Sequence, residues 1–136
     1  MATYFADIEA ALTGHMNDLN DRPAVAWPNV KFEPNAKKPY LRLNVIPAET
    51  VQASLGAIGK DETNGICQVT CFVPAGTGRT DLPDIIADHF KRGTVLSYNG
   101  TSIRLRSPSV GPAIAEGAFY FVPVSIPYQT FTGARS

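Results

Sequence analysis

The last strand-like segment of the chain carries two prolines four residues apart. Residues 118–130 are rich in aromatic and β-branched side chains, which favour a β-strand, and they include Pro123 and Pro127. Neighbouring strand residues direct their N–H and C=O groups toward opposite edges, so both missing donors lie along one edge. We therefore expect a strand that pairs fully on one side only, at a margin or a joint of the sheet. A long apolar margin needs a cover, supplied by a loop, a helix or another subunit.

The length and the charge of the chain narrow its class. With 136 residues it can form one well-packed domain and is too short for two. Twelve basic and twelve acidic residues give a formal net charge of zero, which argues against nucleic acid as a general partner, because binding to phosphates needs a basic excess. No signal peptide and no apolar stretch of roughly 18 residues is visible, so we expect a soluble, intracellular domain without a membrane partner.

Two segments have the apolar spacing of amphipathic helices. The first spans residues 3–20. Its apolar stripe consists of Phe5, Ile8, Leu12, Met16 and Leu19, and its outward face of Asp7, Glu9, Asn17 and Asp18. The second begins after Thr80 or Asp81 and stops at Gly93, because glycine accepts the left-handed conformation that ends many helices. Its stripe consists of Leu82, Ile85, Ile86, His89 and Phe90.

The remaining segments are mostly strand-like. Tyr40–Ile46 alternates between apolar and polar residues, Ile66–Val73 is apolar and β-branched, and Asn99-Gly100 between two alternating runs is typical of a type I′ hairpin turn. Residues 48–65 fit either a flexible hairpin arm or a mobile loop. Strands outnumber helices and follow one another through short turns. We therefore predict a single α+β domain over 1–136, with a mostly antiparallel β-sheet and two α-helices packed on one face.

Residues able to carry catalysis are few and scattered. Cys67 and Cys71 lie four residues apart in one strand, a separation of about 13 Å that is too long for a disulfide, and we expect both in the core. His89 is expected to be buried or half-buried with one hydrogen-bonded nitrogen, and His15 to lie at the surface. Two cysteines and two histidines at these positions do not make a zinc site of the usual spacing. The sequence predicts no catalytic site, no metal site and no cofactor.

An ordered series of short motifs runs along nearly the whole chain. It consists of Trp27-Pro-Asn29-x-x-Phe32-x-Pro34, Pro39-Tyr-Leu-Arg42, Ile46-Pro-Ala48, Leu55-Gly56, Gln68-Val69, Phe72-x-Pro74, Gly93 and Pro123-Val-Ser-Ile126-x-Tyr128. In this series the chain resembles a bacteriophage-related family of small proteins that is similar to the tail terminator, or tail completion, proteins of long-tailed phages.

The resemblance implies a structural, non-enzymatic role in a phage or prophage tail. A protein of this kind would form a homohexameric ring that caps the tail tube, ends tube polymerisation and provides the head-joining surface. Its partners would be copies of itself, the major tail tube protein and the head-completion protein, with no nucleic-acid specificity. It would reside in the virion tail, after assembly in the host cytoplasm.

A closed ring needs two unlike surfaces on each subunit that meet head to tail. The last strand supplies one candidate surface. Its candidate interface residues are Phe119, Phe121, Pro123, Ser125 and Pro127. The segment 48–65 supplies the other. If it forms an arm that lines the pore, three charged residues would face the channel or the tube, namely Lys60, Asp61 and Glu62.

Three other functions stay open. A neck or head-completion protein would present similar surfaces, and a monomeric binding module could accept a peptide along an exposed strand. A small hydrolase would need Cys67 or Cys71 beside His89, with an orienting carboxylate such as Asp88. Nothing in the sequence brings these residues together, and neither cysteine lies at a helix N-terminus that would lower its pKa.

Overall fold

The fold comprises two helices and eight strands within the part of the chain that the structure describes. The computed structural model describes residues 4–19, 23–27, 30–34, 38–52, 60–75, 81–98 and 101–133, with only the backbone for 4–5, 47–52, 60–63 and 131–133. The elements are α1 (Tyr4–Asn17), β1 (Ala24–Ala26), β2 (Tyr40–Gln52), β3 (Lys60–Pro74), α2 (Leu82–His89), β4 (Val95–Tyr98), β5 (Thr101–Leu105), β6 (Ser109–Val110), β7 (Ile114–Glu116) and β8 (Phe119–Gly133). The predicted α+β class is confirmed.

All of these strands belong to one curled sheet. Its order is β1-β2-β3-β8-β5-β4, and β6 and β7 also pair with β8. Only β1 and β2 run parallel, and the other pairs are antiparallel. Tyr98 pairs with Thr101, as the predicted hairpin requires, while its turn residues Asn99 and Gly100 lie outside the described residues.

The segment predicted as an arm or a loop is a hairpin arm where it is described. β2 and β3 pair from Tyr40 with Phe72 to Gln52 with Asp61, and the register shifts between Pro47 and Glu49. Both strands therefore extend well beyond the predicted segments 40–46 and 66–73. Residues 53–59 of this arm lie outside the described residues.

Both helices pack on the same face of the sheet and share one core with it. The buried helical side chains are Ile8, Leu12 and Met16 of α1, and Leu82 and Ile86 of α2, with Phe90 directly after it. These residues confirm most of the two predicted stripes, whereas Ile85 lies at the exposed edge and the side chain of Phe5 is not described.

The outward position predicted for Asp7 is wrong. Asp7 was expected to face outward, but it is only 5% exposed, and its carboxylate accepts a hydrogen bond from the Thr101 hydroxyl at 3.3 Å. The reason is that α1 packs against the β4–β5 hairpin, which covers part of the helix surface that the sequence pattern assigns to solvent.

Helix α2 ends at His89, a few residues before the predicted stop at Gly93. Gly93 has a φ of 88°, a value that favours glycine, and its N–H donates to the carbonyl of Leu105 at 2.9 Å. The predicted role of Gly93 as the residue that ends the helix is therefore wrong, because Phe90 is the C-cap, whereas the left-handed conformation expected of this glycine is confirmed.

Strand β8 lies inside the sheet, so the expectation of a margin is wrong. On one side it pairs without a break with β3, from Phe119 to Gly133. On the other side it pairs with β7, β6 and β5 in three separate pieces. Full pairing on one side only is confirmed, and the strand is a joint between two parts of the sheet. Its cover comes from the same chain, not from another subunit.

Candidate assembly surface

The two prolines of β8 mark the gaps in its second edge. Pairing on that side covers residues 119–121, 124–125 and 128–130, and each gap contains one proline. The carbonyls of Pro123 and Pro127 accept hydrogen bonds from neighbouring backbone N–H groups on this side, each at 2.8 Å. A strand residue directs its N–H and C=O to the same neighbour, so both missing donors face this interrupted edge.

A glycine lets the crossing chain approach the first of these gaps. Gly111 donates its N–H to the carbonyl of Pro123, and a Cβ at this glycine would lie only 2.9 Å from the proline Cγ. Arg106 makes the corresponding bond to Pro127, directly after β5. The prolines therefore divide the cover of this edge into short strands and leave β8 fully paired only with β3.

The side chains of β8 alternate between a buried face and an outer face. The residues beneath the helices are Val122, Val124, Ile126, Tyr128 and Thr130. The five predicted interface residues lie together on the opposite, outer face, and each is half-buried. They are Phe119, Phe121, Pro123, Ser125 and Pro127. Both helices pack on the other side of the sheet, so these side chains form a surface rather than an edge.

Aromatic rings gather at one end of this outer face. Tyr40 and Phe72 stack with their ring centroids 4.4 Å apart, and Phe119 meets Tyr40 edge-on at 5.3 Å. Phe121 lies 5.3 Å from Phe72, and the guanidinium of Arg42 lies 5.0 Å from the centroid of the Phe72 ring. Burial raises the pKa of Tyr40, with a smaller lowering from Arg42. Phe32 covers Tyr40, which is only 5% exposed, whereas Phe72, Phe119 and Phe121 are half-buried, so the cluster is a partly covered apolar patch on the outer face.

An arginine cleft lies toward the other end of the outer face. Its cationic side chains are Arg92, Arg104 and Arg106, and it encloses about 640 Å³ beside Pro127 and Gln129. All three arginines are exposed, and no carboxylate of the described residues pairs with them within 4 Å. The cleft borders the second proline gap, so the interruption of the strand pairing coincides with an unneutralised cationic site.

The arm continues the sheet as three paired strands. In its central strand β3, the backbone of Lys60, Asp61 and Glu62 pairs with the end of β8 at residues 131–133, and Asp61 and Glu62 also pair with β2. These are the predicted pore-facing residues. Their position on the arm agrees with the prediction of a hairpin, whereas their contact with a channel or a tube stays a prediction.

A glycine shapes the base of the arm. Gly65 pairs with Tyr128 across β3 and β8, and the tyrosine side chain occupies the space that a Cβ would need. The same Cβ would lie 2.7 Å from the carbonyl oxygen of Ile46. Burial raises the pKa of Tyr128, which is fully buried. The absence of a Cβ at Gly65 therefore leaves room for the Tyr128 side chain to pack in the core at the point where the arm begins.

The two cysteines are core residues, as predicted. Cys67 and Cys71 are fully buried free thiols that share the helix-facing side of β3 with Val69 and Val73. Burial raises the pKa of each thiol to about 12. Very little thiolate is present at neutral pH, and a thiol in this state is a poor nucleophile.

The two histidines form a reciprocal pair where the C-terminal ends of the helices meet. His15 donates from Nε2 to the backbone carbonyl of His89 at 2.6 Å, and His89 donates from Nε2 to the carbonyl of His15 at 2.6 Å. The rings stack with centroids 4.0 Å apart, and Phe90 contacts both edge-on. The prediction for His89 is confirmed. The surface position expected for His15 is wrong, because helix α2 covers its ring.

The described residues contain neither a metal-binding group nor a membrane-spanning helix. Among the described residues, no three His, Cys, Asp or Glu side chains come together as a metal-binding group. None of the helices within the described ranges has both the length and the apolar character to cross a bilayer.

The outer face of the sheet thus carries an aromatic patch at one end and an arginine cleft toward the other. A model of the phage tail terminator protein family matches residues 7–128. The chain belongs to the phage tail terminator family, as its motifs predicted, and is a structural component of the phage tail.

Comparison with solved structures supports the fold over nearly the full length. One solved protein is 27% identical, with a TM-score of 0.70, and the match covers 93% of this chain and 92% of the other. The name of that protein describes no function, so the match adds no partner or activity. None of the curated proteins is similar enough to count as a relative.

Proposed function

We propose that the chain caps the tail tube as a homohexameric ring, ends tube polymerisation and provides the surface that joins the head. The match of residues 7–128 to the tail terminator family carries this proposal. The protein acts in the virion tail and is assembled in the host cytoplasm. Its partners are copies of itself, the major tail tube protein and the head-completion protein.

The outer face of β8 supports a role in contacts between proteins. Its residues Phe119, Phe121 and Pro127 are half-buried in the isolated subunit, and their apolar area would leave water when a partner covers them. Open sheet faces of soluble domains are usually polar, so an aromatic patch at this position favours a contact surface. We assign the five outer residues 119, 121, 123, 125 and 127 to the interface.

The arm supports contact with the tube or the channel. Its three paired strands hold the backbone of residues 60–62 in a regular conformation. Regular pairing holds residues 60–62 at a defined place relative to the sheet, which a mobile loop cannot do. We assign Lys60, Asp61 and Glu62 to the tube-facing part of the ring.

We also propose that the protein works without catalysis. A cysteine hydrolase needs an accessible thiolate beside a free imidazole. The thiols of Cys67 and Cys71 are buried in the core, and both histidines use Nε2 for backbone carbonyls of the opposite helix. The double variant His89→Gln and Cys71→Ala should therefore still end tube growth if it folds, whereas loss of this function with unchanged folding would favour the hydrolase.

The deciding experiment compares tails assembled with and without this protein by negative-stain electron microscopy. We expect overlong, headless tubes in its absence, and tubes of uniform length after the purified protein is added back. Headless tails of normal length would instead indicate a neck or head-completion protein. Tails of normal length that join heads in its absence would exclude both roles.

A further inference from the structure

We propose that the arginine cleft receives the acidic side of helix α2 from a neighbouring copy of the chain, and that this is a charged contact of the ring. The inference rests on the proposed ring, and it names the residues that meet between adjacent subunits. On the cleft side these are Arg104 and Arg106, supported by Arg92. On the helix side they are Asp84 and Asp88.

The cleft side has a regular arrangement of positive charge. Arg104 and Arg106 are two residues apart along an extended segment, so their side chains leave the same face about 6.6 Å apart. Arg92 lines the same cleft from the segment after α2. The guanidinium group binds carboxylates through two parallel hydrogen bonds, which makes arginine the preferred cation for such a contact.

The helix side has a matching spacing of negative charge. Asp84 and Asp88 are four residues apart on α2, which places their side chains on one face about 6 Å apart. Both are exposed, and neither pairs with a cation of the described residues within 4 Å. Two aspartates whose Cβ atoms are about 6 Å apart therefore face outward on one surface, and two arginines whose backbone positions are about 6.6 Å apart face outward on another.

The two charged sites lie on unlike surfaces of the subunit. Helix α2 packs on the buried side of the sheet, whereas Pro127 and Gln129 of the cleft belong to the outer side. A contact between unlike surfaces is head to tail, which is the kind of contact that closes into a ring. The chain as a whole has no net charge, so copies associate without overall repulsion.

Charge reversal tests the contact. The variants R104E/R106E and D84R/D88R each place like charges across every interface, so we expect at least about a tenfold increase in the concentration needed to stop tube growth. The fourfold variant carries both changes in one chain and restores opposite charges at each interface. We expect it to recover most of the lost function. Each variant is first checked by thermal unfolding, and these exposed positions should leave the melting temperature nearly unchanged.

Cross-linking gives a second measurement that does not depend on charge. A chain with Asp88→Cys and Arg104→Cys is treated with a short bifunctional maleimide on assembled tails. The native Cys67 and Cys71 are buried and should not react. We expect a ladder of covalent multimers from the double-cysteine chain, whereas the chains with Asp88→Cys or Arg104→Cys alone should give none.

The outcomes distinguish a failure of the proposed charged contact from a failure of the proposed capping function. If the unaltered protein stops tube growth but the fourfold variant fails to recover and no ladder forms, the proposed contact is wrong while the capping role stands. Loss of capping by R104E/R106E alone, with D84R/D88R unchanged, would assign the cleft to an acidic surface of the tube protein. Tight binding of DNA by the unaltered protein, lost in R104E/R106E, would assign it to phosphate and also overturn the proposal. Failure of the unaltered protein to stop tube growth would remove the proposed function itself.

Discussion

The two faces of strand β8 differ in burial although they belong to one segment. On the helix side, Val122, Val124, Ile126, Tyr128 and Thr130 are at most 9% exposed. On the outer side, residues 119, 121, 123, 125 and 127 are half-buried and have no helix above them. Alternate residues of one strand therefore serve two purposes. Even-numbered positions hold the subunit together, and we expect odd-numbered positions to serve contacts with other subunits.

The largest effect on stability should come from a cavity on the even-numbered face. Ile126 is fully buried within the core cluster, so Ile126→Ala should lower the free energy of unfolding by about 2–5 kcal/mol. Urea unfolding followed by circular dichroism measures this difference. The matched control is Ser125→Ala on the outer face, which should change stability by less than about 0.5 kcal/mol. Equal losses from both variants would contradict the division between the faces.

A smaller loss of stability should follow from adding a methyl group to Gly65 at the base of the arm. In Gly65→Ala the new methyl group would overlap the Tyr128 hydroxyl and the Ile46 carbonyl, so we expect a loss of about 1–3 kcal/mol. Gly14 offers a matched control on α1, because a Cβ there meets no atom within 4 Å. Gly14→Ala should stabilise by about 0.5–1 kcal/mol through helix propensity. A neutral Gly65→Ala would mean that the arm base can open without cost.

The difference between the faces was predictable from the sequence, but the position of the strand was not. The sequence correctly placed Cys67 and Cys71 in the core and grouped the five odd-numbered residues of β8 on one face, and the prolines correctly indicated which edge loses donors. The prolines do not reveal what lies beside that edge. The crossing segment fills it with β6 and β7, which are two and three residues long and carry no strand pattern of their own.

Contacts between distant segments account for the other failures. The helical periodicity assigns Asp7 to solvent, because it takes only the residues of α1 into account. The hydrogen-bond partner Thr101 is 94 residues away in the sequence. The same holds for His15 and His89, which are 74 residues apart. The periodicity of a helix or strand predicts only which side of that element faces the core. When a second element, distant in sequence, covers another side, the local sequence gives no sign of it.

The histidine pair should make a modest, pH-dependent contribution to the stability of the fold. The pKa of His15 is lowered from its usual 6.5, and burial is the largest cause. The charge of His89 lowers it further, whereas the hydrogen bond to the His89 carbonyl and the charge of Asp18 act in the opposite direction. Since the folded state favours the neutral ring, this contribution is fully present above pH 6.5 and is lost as the pH falls through the lower folded pKa. We expect stability to drop between pH 7.5 and 5 by thermal unfolding.

Two substitutions at His15 separate the titration from the hydrogen bond. Gln keeps an N–H donor for the His89 carbonyl but does not titrate, so His15→Gln should reduce the loss on acidification. His15→Ala removes the donor as well and should cost about 1 kcal/mol even at pH 7.5. An unchanged pH profile in His15→Gln would show that His15 is not the group that titrates.

A charged substitution on the outer face of β8 should have the smallest effect on stability but a large effect on assembly. Ser125 points away from the helices, between Gln68 of β3 and Ser109 of β6, so Ser125→Lys can extend its side chain into solvent in the isolated subunit. We expect the free energy of unfolding to change by less than about 0.5 kcal/mol. In the ring, the same charge would be buried against a neighbour and prevent capping, which tail lengths in electron micrographs measure. Uniform tail lengths with this variant would remove Ser125 from the interface, because a buried lysine without a partner is not tolerated in a close contact.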